Sequence, residues 1–182
     1  QAPIDPRALA LHSVASAYAA ESLTRKCGRA IPTEAFMAAL LHDFGVPVQE
    51  RVDTAGVIRL LEALAKDADT PVAELEPQFV QVSHTRCAEV VFENWQLPPS
   101  IVQAAKHHDD PSQAPGPVRE LTTLVHLGVQ IALEAGFTHP MEPRQLRTPR
   151  GPLLKAMGLD DESVTAIVAG LPERVLLVMD SG

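Results

Sequence analysis

The sequence predicts an all-α chain, and three observations carry that prediction. No stretch keeps the period-two alternation of a half-buried strand, whereas apolar residues recur at i, i+3, i+4 and i+7 in several windows. Hydrophobic residues make up 46% of the chain but aromatics only 4%, so the core must come from Leu, Val, Ile and Ala, which suits closely packed helices. Pro and Gly fall mainly between the periodic windows, where helices stop and start. A length of 182 residues suits one domain with a real core, taken as residues 1–182.

Residues 6–23 read as the first helix. Ala8, His12, Ala15 and Ala19 share a face, with Leu11 and Val14 beside it, so His12 points at small packed residues rather than solvent. Gly28, in the break Lys26-Cys27-Gly28-Arg29, is placed at the C-cap. Residues 33–44 form a second, small-residue helix with Thr33 as N-cap and Gly45 as stop, ending on His42-Asp43. A third helix spans 55–68, burying Leu60, Leu61 and Leu64, and residues 67–71 make a turn. Residues 72–78 read as a short helix cut by Pro77. Residues 79–95 carry the clearest stripe: His84, Cys87, Ala88, Val91, Phe92 and Trp95. Phe92 and Trp95 are read as core, and Cys87 as a small buried hydrophobe.

After Pro98-Pro99, residues 101–108 form a helix with Ile101, Ala104, Ala105 and His108 on one face and His107 adjoining. Residues 111–117 are a Pro-rich loop, and 118–135 a long helix carrying His126. Residues 136–151, rich in Pro and Arg, read as an ordered loop or arm; Arg144, Arg147 and Arg150 are taken as solvated rather than as an anion site. Short C-terminal helices are expected at 152–157, 161–168 and 172–179.

The formal charge is −8, from 15 basic and 23 acidic residues, which argues against non-specific nucleic-acid binding and docking on anionic membrane. Cys27 and Cys87 make neither a CxxC nor a disulfide framework, so a reducing cytoplasm is expected. No apolar run approaches the roughly 20 residues a membrane span needs, and no signal peptide is visible from Gln1.

The chemistry centres on His42-Asp43. A carboxylate in the last turn of a helix faces the negative end of the macrodipole, a penalty of roughly 0.3–1 kcal/mol, and burying it costs more unless it is paired or bound to a cation. His with a carboxylate is a usual divalent-metal pair. The alternative is that Asp43 caps a neighbouring helix and His42 is a satisfied core histidine. His12, His42, His84 and His108 lie on separate core-facing surfaces, and a shared metal site would satisfy all four imidazoles together. His139 has no helical context and is left outside this constellation.

These residues also match a known pattern. His12-Ser13, then Ala38-Ala39-Leu40-Leu41-His42-Asp43-Phe44-Gly45, then His84 with Ala88-Glu89-Val90, resembles the HD superfamily of metal-dependent phosphohydrolases, and within it the HDOD domains related to HD-GYP proteins. Trp95-Gln96-Leu97-Pro98 leading into Ile101-Val102, Ala105-Lys106-His107-His108 and Leu124-Val125-His126-Leu127 continue the resemblance, which covers about residues 9–135. Residues 136–182 then form a C-terminal loop and short helices outside that HD core. The resemblance implies an HD-domain-like helical bundle with a metal pocket between helices. By it, His12 is the first ligand, His42 and Asp43 the paired ligands, and His84 with His107 or His108 the extra histidines of a two-metal site. Lys106 is the one candidate for holding a phosphate. The superfamily's late Asp ligand falls on Val129, a lost ligand position, and a frequent Lys falls on Val46. The resemblance also implies extra helices before the first histidine, which are expected to be absent from this chain.

The resulting expectation is a bacterial, cytoplasmic signal-transduction module that acts through a protein partner, with a degenerate or cryptic phosphohydrolase pocket. Its histidine-rich donor set would suit Fe, Zn, Ni or Mn better than Mg. A nucleotide or cyclic dinucleotide ligand and a homodimer are compatible with this reading; direct nucleic-acid or membrane binding is not expected. The competing expectation is an active metal-dependent phosphohydrolase, with Asp43 in the catalytic centre and Asp109 or Asp110 replacing the missing carboxylate. A third is a purely structural helical adaptor.

Overall fold

The computed structural model describes residues 3–67, 70–141 and 149–179, which are helical with no β-strand among them. Helix α1 (Pro6–Cys27) runs through the middle of the fold. Asp5 caps it by accepting from the Arg7 amide at 2.9 Å, and Gly28 closes it in the left-handed conformation, its N–H on the Thr24 carbonyl. Ala15, Ala17, Ala19 and Ala20 are fully buried, so neighbouring helices approach α1 closely. Helices α2 (Pro32–Leu41), α8 (Arg119–Glu134) and α10 (Asp161–Met179) pack on it. Helix α8 crosses α1 closely at Gly128, where a Cβ would lie 2.8 Å from the Ser16 carbonyl oxygen.

Two expectations about α2 are corrected. The N-cap is Ile31, with Pro32 at the first helical position, and no side chain caps this end; Thr33 lies inside the helix. The helix stops at Leu41. His42, Asp43 and Phe44 form a turn, and Gly45 opens helix α3 (Gly45–Val52) instead of ending α2. Pro47 is tolerated because it sits in the first turn of α3, where its missing N–H has no intrahelical acceptor to leave empty. Asp43 therefore lies at the start of a helix, the end that favours an anion.

Helix α4 (Thr54–Lys66), capped by Asp53 on the Gly56 amide, and α5 (Val72–Phe79) pack Val57, Leu60, Leu64, Val72 and Leu75 into a second core cluster with Val46. Ala68 and Asp69, part of the expected turn, lie outside the described residues. Helix α6 (His84–Asn94) starts at residue 84, not 79, because Ser83 accepts from the Arg86 amide and fixes the N-cap. Its stripe buries His84, Cys87, Ala88 and Phe92, but Trp95 at the C-cap is 55% exposed, so the core assignment of Trp95 is corrected; its ring meets Phe44 edge-on and Phe92 at a tilt. Helix α7 (Pro99–His107) follows, then two short 3-10 turns, Pro111–Gln113 and Gly116–Val118, before α8.

Helix α9 (Arg150–Met157) precedes α10, which is one helix where two were expected. Val164, Ile167, Leu171 and Val175 form an unbroken buried stripe in one cluster with α1 and α8 residues, and that packing carries the helix through Pro172. Arg150 pairs with Glu134 and Asp161, and Arg144 and Arg147 lie outside the described residues. Cys27 and Cys87 are unbridged. No described helix is long and apolar enough to cross a membrane.

Candidate metal centre

Five imidazoles form a row where α1, the α2–α3 turn, α6, α7 and the segment after α8 meet. Their order is His139, His12, His42, His108, His84. Successive ring centroids are 4.9, 5.2, 4.8 and 5.4 Å apart. All five residues are buried, none more than 5% exposed. Local structure explains the placement of two of them. His42 and His108 are each the C-cap of a short helix, each preceded by Ala-x-x and followed by Asp. Each turns its ring back so that Nδ1–H donates to the carbonyl three residues earlier, Ala39 or Ala105, at 2.7 Å.

The other rings are oriented in the same sense by different partners. His12 Nδ1–H donates to the Phe137 carbonyl at 2.8 Å. His84 Nδ1 lies 2.9 Å from Glu76 Oε1, which also accepts from the His84 amide and from Gln49. With Nδ1 engaged on each of these four rings, Nε2 is the atom turned to the array. His12 and His42 meet there, Nε2 to Nε2, at 3.3 Å. Such orientation of imidazoles by carbonyls and carboxylates is the usual outer shell of a metal site.

Asp43 is the hub. Its Oδ2 lies 2.8 Å from His139 Nε2 and 3.2 Å from His42 Nε2, and its Oδ1 lies 3.5 Å from His108 Nε2 and 3.8 Å from His84 Nε2. Burial works to raise its carboxyl, but the charge of His42 and hydrogen bonds from His139 and His42 hold it well below the usual carboxylate range. Burial likewise works against a charged His84, and Glu76, with Asp109 and Asp43 behind it, overrides that and pushes His84 up to about 10. Asp109 stands at the far end, 3.4 Å from His108 Nε2 and 3.8 Å from His84 Nε2.

Three donor sets result: His12, Asp43 and His139; His42, Asp43 and His108; His84, His108 and Asp109. Within each set the donor atoms lie within 4.8 Å of one another. The His108 Nε2 atom is buried and makes no hydrogen bond among the described residues, an orphan that a cation would satisfy. Imidazole nitrogens with carboxylate oxygens fit a divalent transition ion, so the residues present suit the group that the sequence pattern implies.

The structure therefore brings together His12, His42, Asp43, His84 and His108. It separates His107, which is corrected: His107 is the last residue of α7, one position before the C-cap His108, and it lines a cleft of about 390 Å³ with Ser83, Thr85, Arg86, Glu89 and Lys106. Burial and then Lys106 push the His107 imidazole down. Lys106 belongs to this cleft too; its ammonium sits 2.6 Å from Glu89, which also pairs with Arg86. Val129 is buried and supplies no donor, and Val46 packs in the second core cluster. Of the two candidate replacement carboxylates, Asp109 joins the array. Asp110 does not, because it caps the following 3-10 turn through Ser112. His139 was missed. Its position depends on a turn after α8 that no helical period reports. His126 lies behind the row, its Nδ1–H on the His108 carbonyl at 2.7 Å.

An HDOD domain family model matches residues 1–111. No curated protein matches the chain. Among solved structures, a candidate signal transduction protein from Marinobacter aquaeolei VT8 superposes with a TM-score of 0.75 at 21% identity, covering 93% of this chain and 38% of its own. An HDOD domain protein of unknown function from Geobacter sulfurreducens gives 0.73 at 18% identity, over 95% of this chain and 64% of its own. A candidate phosphohydrolase from Shewanella amazonensis SB2B gives 0.67 at 20% identity, over 96% and 60%. The chain thus spans less than two thirds of each of these structures, and at such identities the likeness is one of fold. The match over the segment that supplies His12, His42, Asp43, His84 and His108 shows that this chain belongs to the HDOD domain family.

Proposed function

We propose that the chain is a bacterial, cytoplasmic signalling module whose His/Asp array holds a divalent transition metal, and that it works through a protein partner rather than by turnover. One observation carries the metal: four rings on four elements each commit Nδ1 to an acceptor, and His42, His84 and His108 turn Nε2 to the one carboxylate of Asp43 while His12 turns Nε2 to the Nε2 of His42. Four unrelated core histidines would have no reason to share that sense. His42, Asp43 and His108 would hold the ion, with His12 and His84 flanking. A metal here supplies Lewis acidity and lowers the pKa of bound water. Against turnover stands the burial of the donors: Asp43 is 3% exposed, and only Asp109, at 28%, faces solvent appreciably. Hydrolysis needs an open coordination position and a cradle for the phosphate, and Lys106 is committed to Glu89.

The test is elemental analysis of protein purified without chelator or affinity tag, beside His42→Ala, followed by phosphoester and cyclic-dinucleotide assays. Expected is stoichiometric Fe, Zn, Ni or Mn in wild type, loss in His42→Ala, and no turnover. Absence of metal from both proteins overturns the metal reading.

The second reading, an active metal-dependent phosphohydrolase, is favoured by Asp109, which supplies a carboxylate to the array beside His84 and His108. If it holds, wild type hydrolyses a phosphoester and Asp109→Ala loses that activity together with bound metal. Unchanged metal content and activity in Asp109→Ala would sink it.

A further inference from the structure

We propose that His139 is itself a metal ligand, closing a donor set with His12 and Asp43 at the end of the row away from Asp109; this rests on the metal reading above. Asp43 divides its two oxygens between the two halves of the row. Oδ1 faces His108 and His84, and Oδ2 faces His42 and His139. Among the described residues the donor set on the Oδ2 side holds no second carboxylate; its further donors are imidazoles. His139 brings Nε2 to 2.8 Å from Oδ2, the shortest polar contact Asp43 makes to any of the rings.

The segment that carries His139 is built to do this. Gly136, at φ +89°, turns the chain at the end of α8, and the Phe137 amide returns to the Ala132 carbonyl at 3.0 Å. The Phe137 carbonyl then orients His12, and two residues later His139 meets Asp43. One short segment thus orients one donor of the set and contributes another. His139 is buried, and its Nδ1 makes no hydrogen bond among the described residues. The contact to Asp43 is therefore the hydrogen bond that places this ring, unlike the rings fixed from behind through Nδ1. The chemical consequence is selectivity. A set of two imidazoles and one carboxylate favours Zn, Fe, Co or Ni over Mg.

The experiment titrates Co2+ into the metal-free full chain, with ¹⁵N-histidine NMR and visible absorption as readouts, in wild type, His139→Asn and His139→Asp. Asn keeps an N–H donor for Asp43 but no imidazole. Expected in wild type is a paramagnetic shift of the His139 ring resonance. Expected in His139→Asn is an altered cobalt spectrum, with fewer Co2+ bound per chain or binding at least about tenfold weaker. In His139→Asp, Co2+ binding returns and Mn2+ competes better, because a carboxylate has replaced a nitrogen donor. Wild-type binding and spectrum preserved in His139→Asn would overturn the proposal alone. Failure of wild type to bind Co2+ would overturn the metal reading with it. The wild-type NMR measurement decides the question even if the variants fail to fold.

Discussion

His42 and His108 show how little sequence is needed to aim a donor. Each follows Ala-x-x at a helix end, each spends Nδ1–H on the carbonyl three residues back, and each is followed by a carboxylate of the array. His84 is aimed differently, by a buried carboxylate. Glu76 is 2% exposed and serves the His84 amide, the His84 ring and Gln49 together. This gives a pH signature in chelator-treated protein. His84 is raised from 6.5 to about 10, so its contribution to stability is complete below pH 6.5 and is lost as pH climbs through about 10. Glu76 is lowered from 4.5: burial opposes its charge, but the His84 charge and the hydrogen bonds outweigh it. Its contribution is therefore present above pH 4.5 and lost as pH falls. Thermal unfolding of metal-free wild type is expected to weaken between pH 7 and 10, and Glu76→Gln to flatten that slope. Parallel slopes for the two proteins would contradict the pairing.

Helix packing decides whether these side chains meet. Helix α3 crosses the start of α6 at Gly45, where a Cβ would lie 1.8 Å from the His84 carbonyl oxygen and 2.8 Å from the Ala88 nitrogen. Both atoms are backbone, so neither can swing aside. Gly45 also follows Asp43 by two residues, and His84 opens α6, so this crossing sets the separation of two donors. Gly45→Ala is expected to destabilise by about 1–3 kcal/mol or more and to lower metal content, since α3 and α6 must move apart. Gly128→Ala, whose nearest contact would be 2.8 Å, is the milder comparison. Chemical denaturation with metal analysis on the same samples checks both. Equal losses at the two glycines would remove Gly45's special role.

The donors come from five separate places along the chain, so occupancy of the array ties α1, α2–α3, α6, α7 and the segment after α8 into one cooperative unit. An ion that binds the native state alone stabilises it by about 2.7 kcal/mol at a hundredfold excess over its Kd. For a chain of this length that is roughly 5–10 °C in Tm. A chelator is expected to lower the melting temperature by that amount, and re-addition of Zn2+ to restore it. A melting temperature indifferent to chelation would favour the purely structural adaptor.

The helices were legible because their signals are local: apolar period, Pro at helix starts, Gly28 at a helix end. His12, His42, Asp43, His84 and His108 were legible because each lies on or at the end of a periodic apolar face, which fixes its direction before any partner is known. The choice of Asp109 over Asp110 needed the actual turn after α7, where one residue of rotation decides which carboxylate faces the array. Trp95 and the unbroken α10 depended on what packs beside them. His139 depended on tertiary structure altogether. It lies 96 residues from Asp43, on a segment with no period to read, and only the folding of α8 onto α1 brings the two within hydrogen-bonding distance.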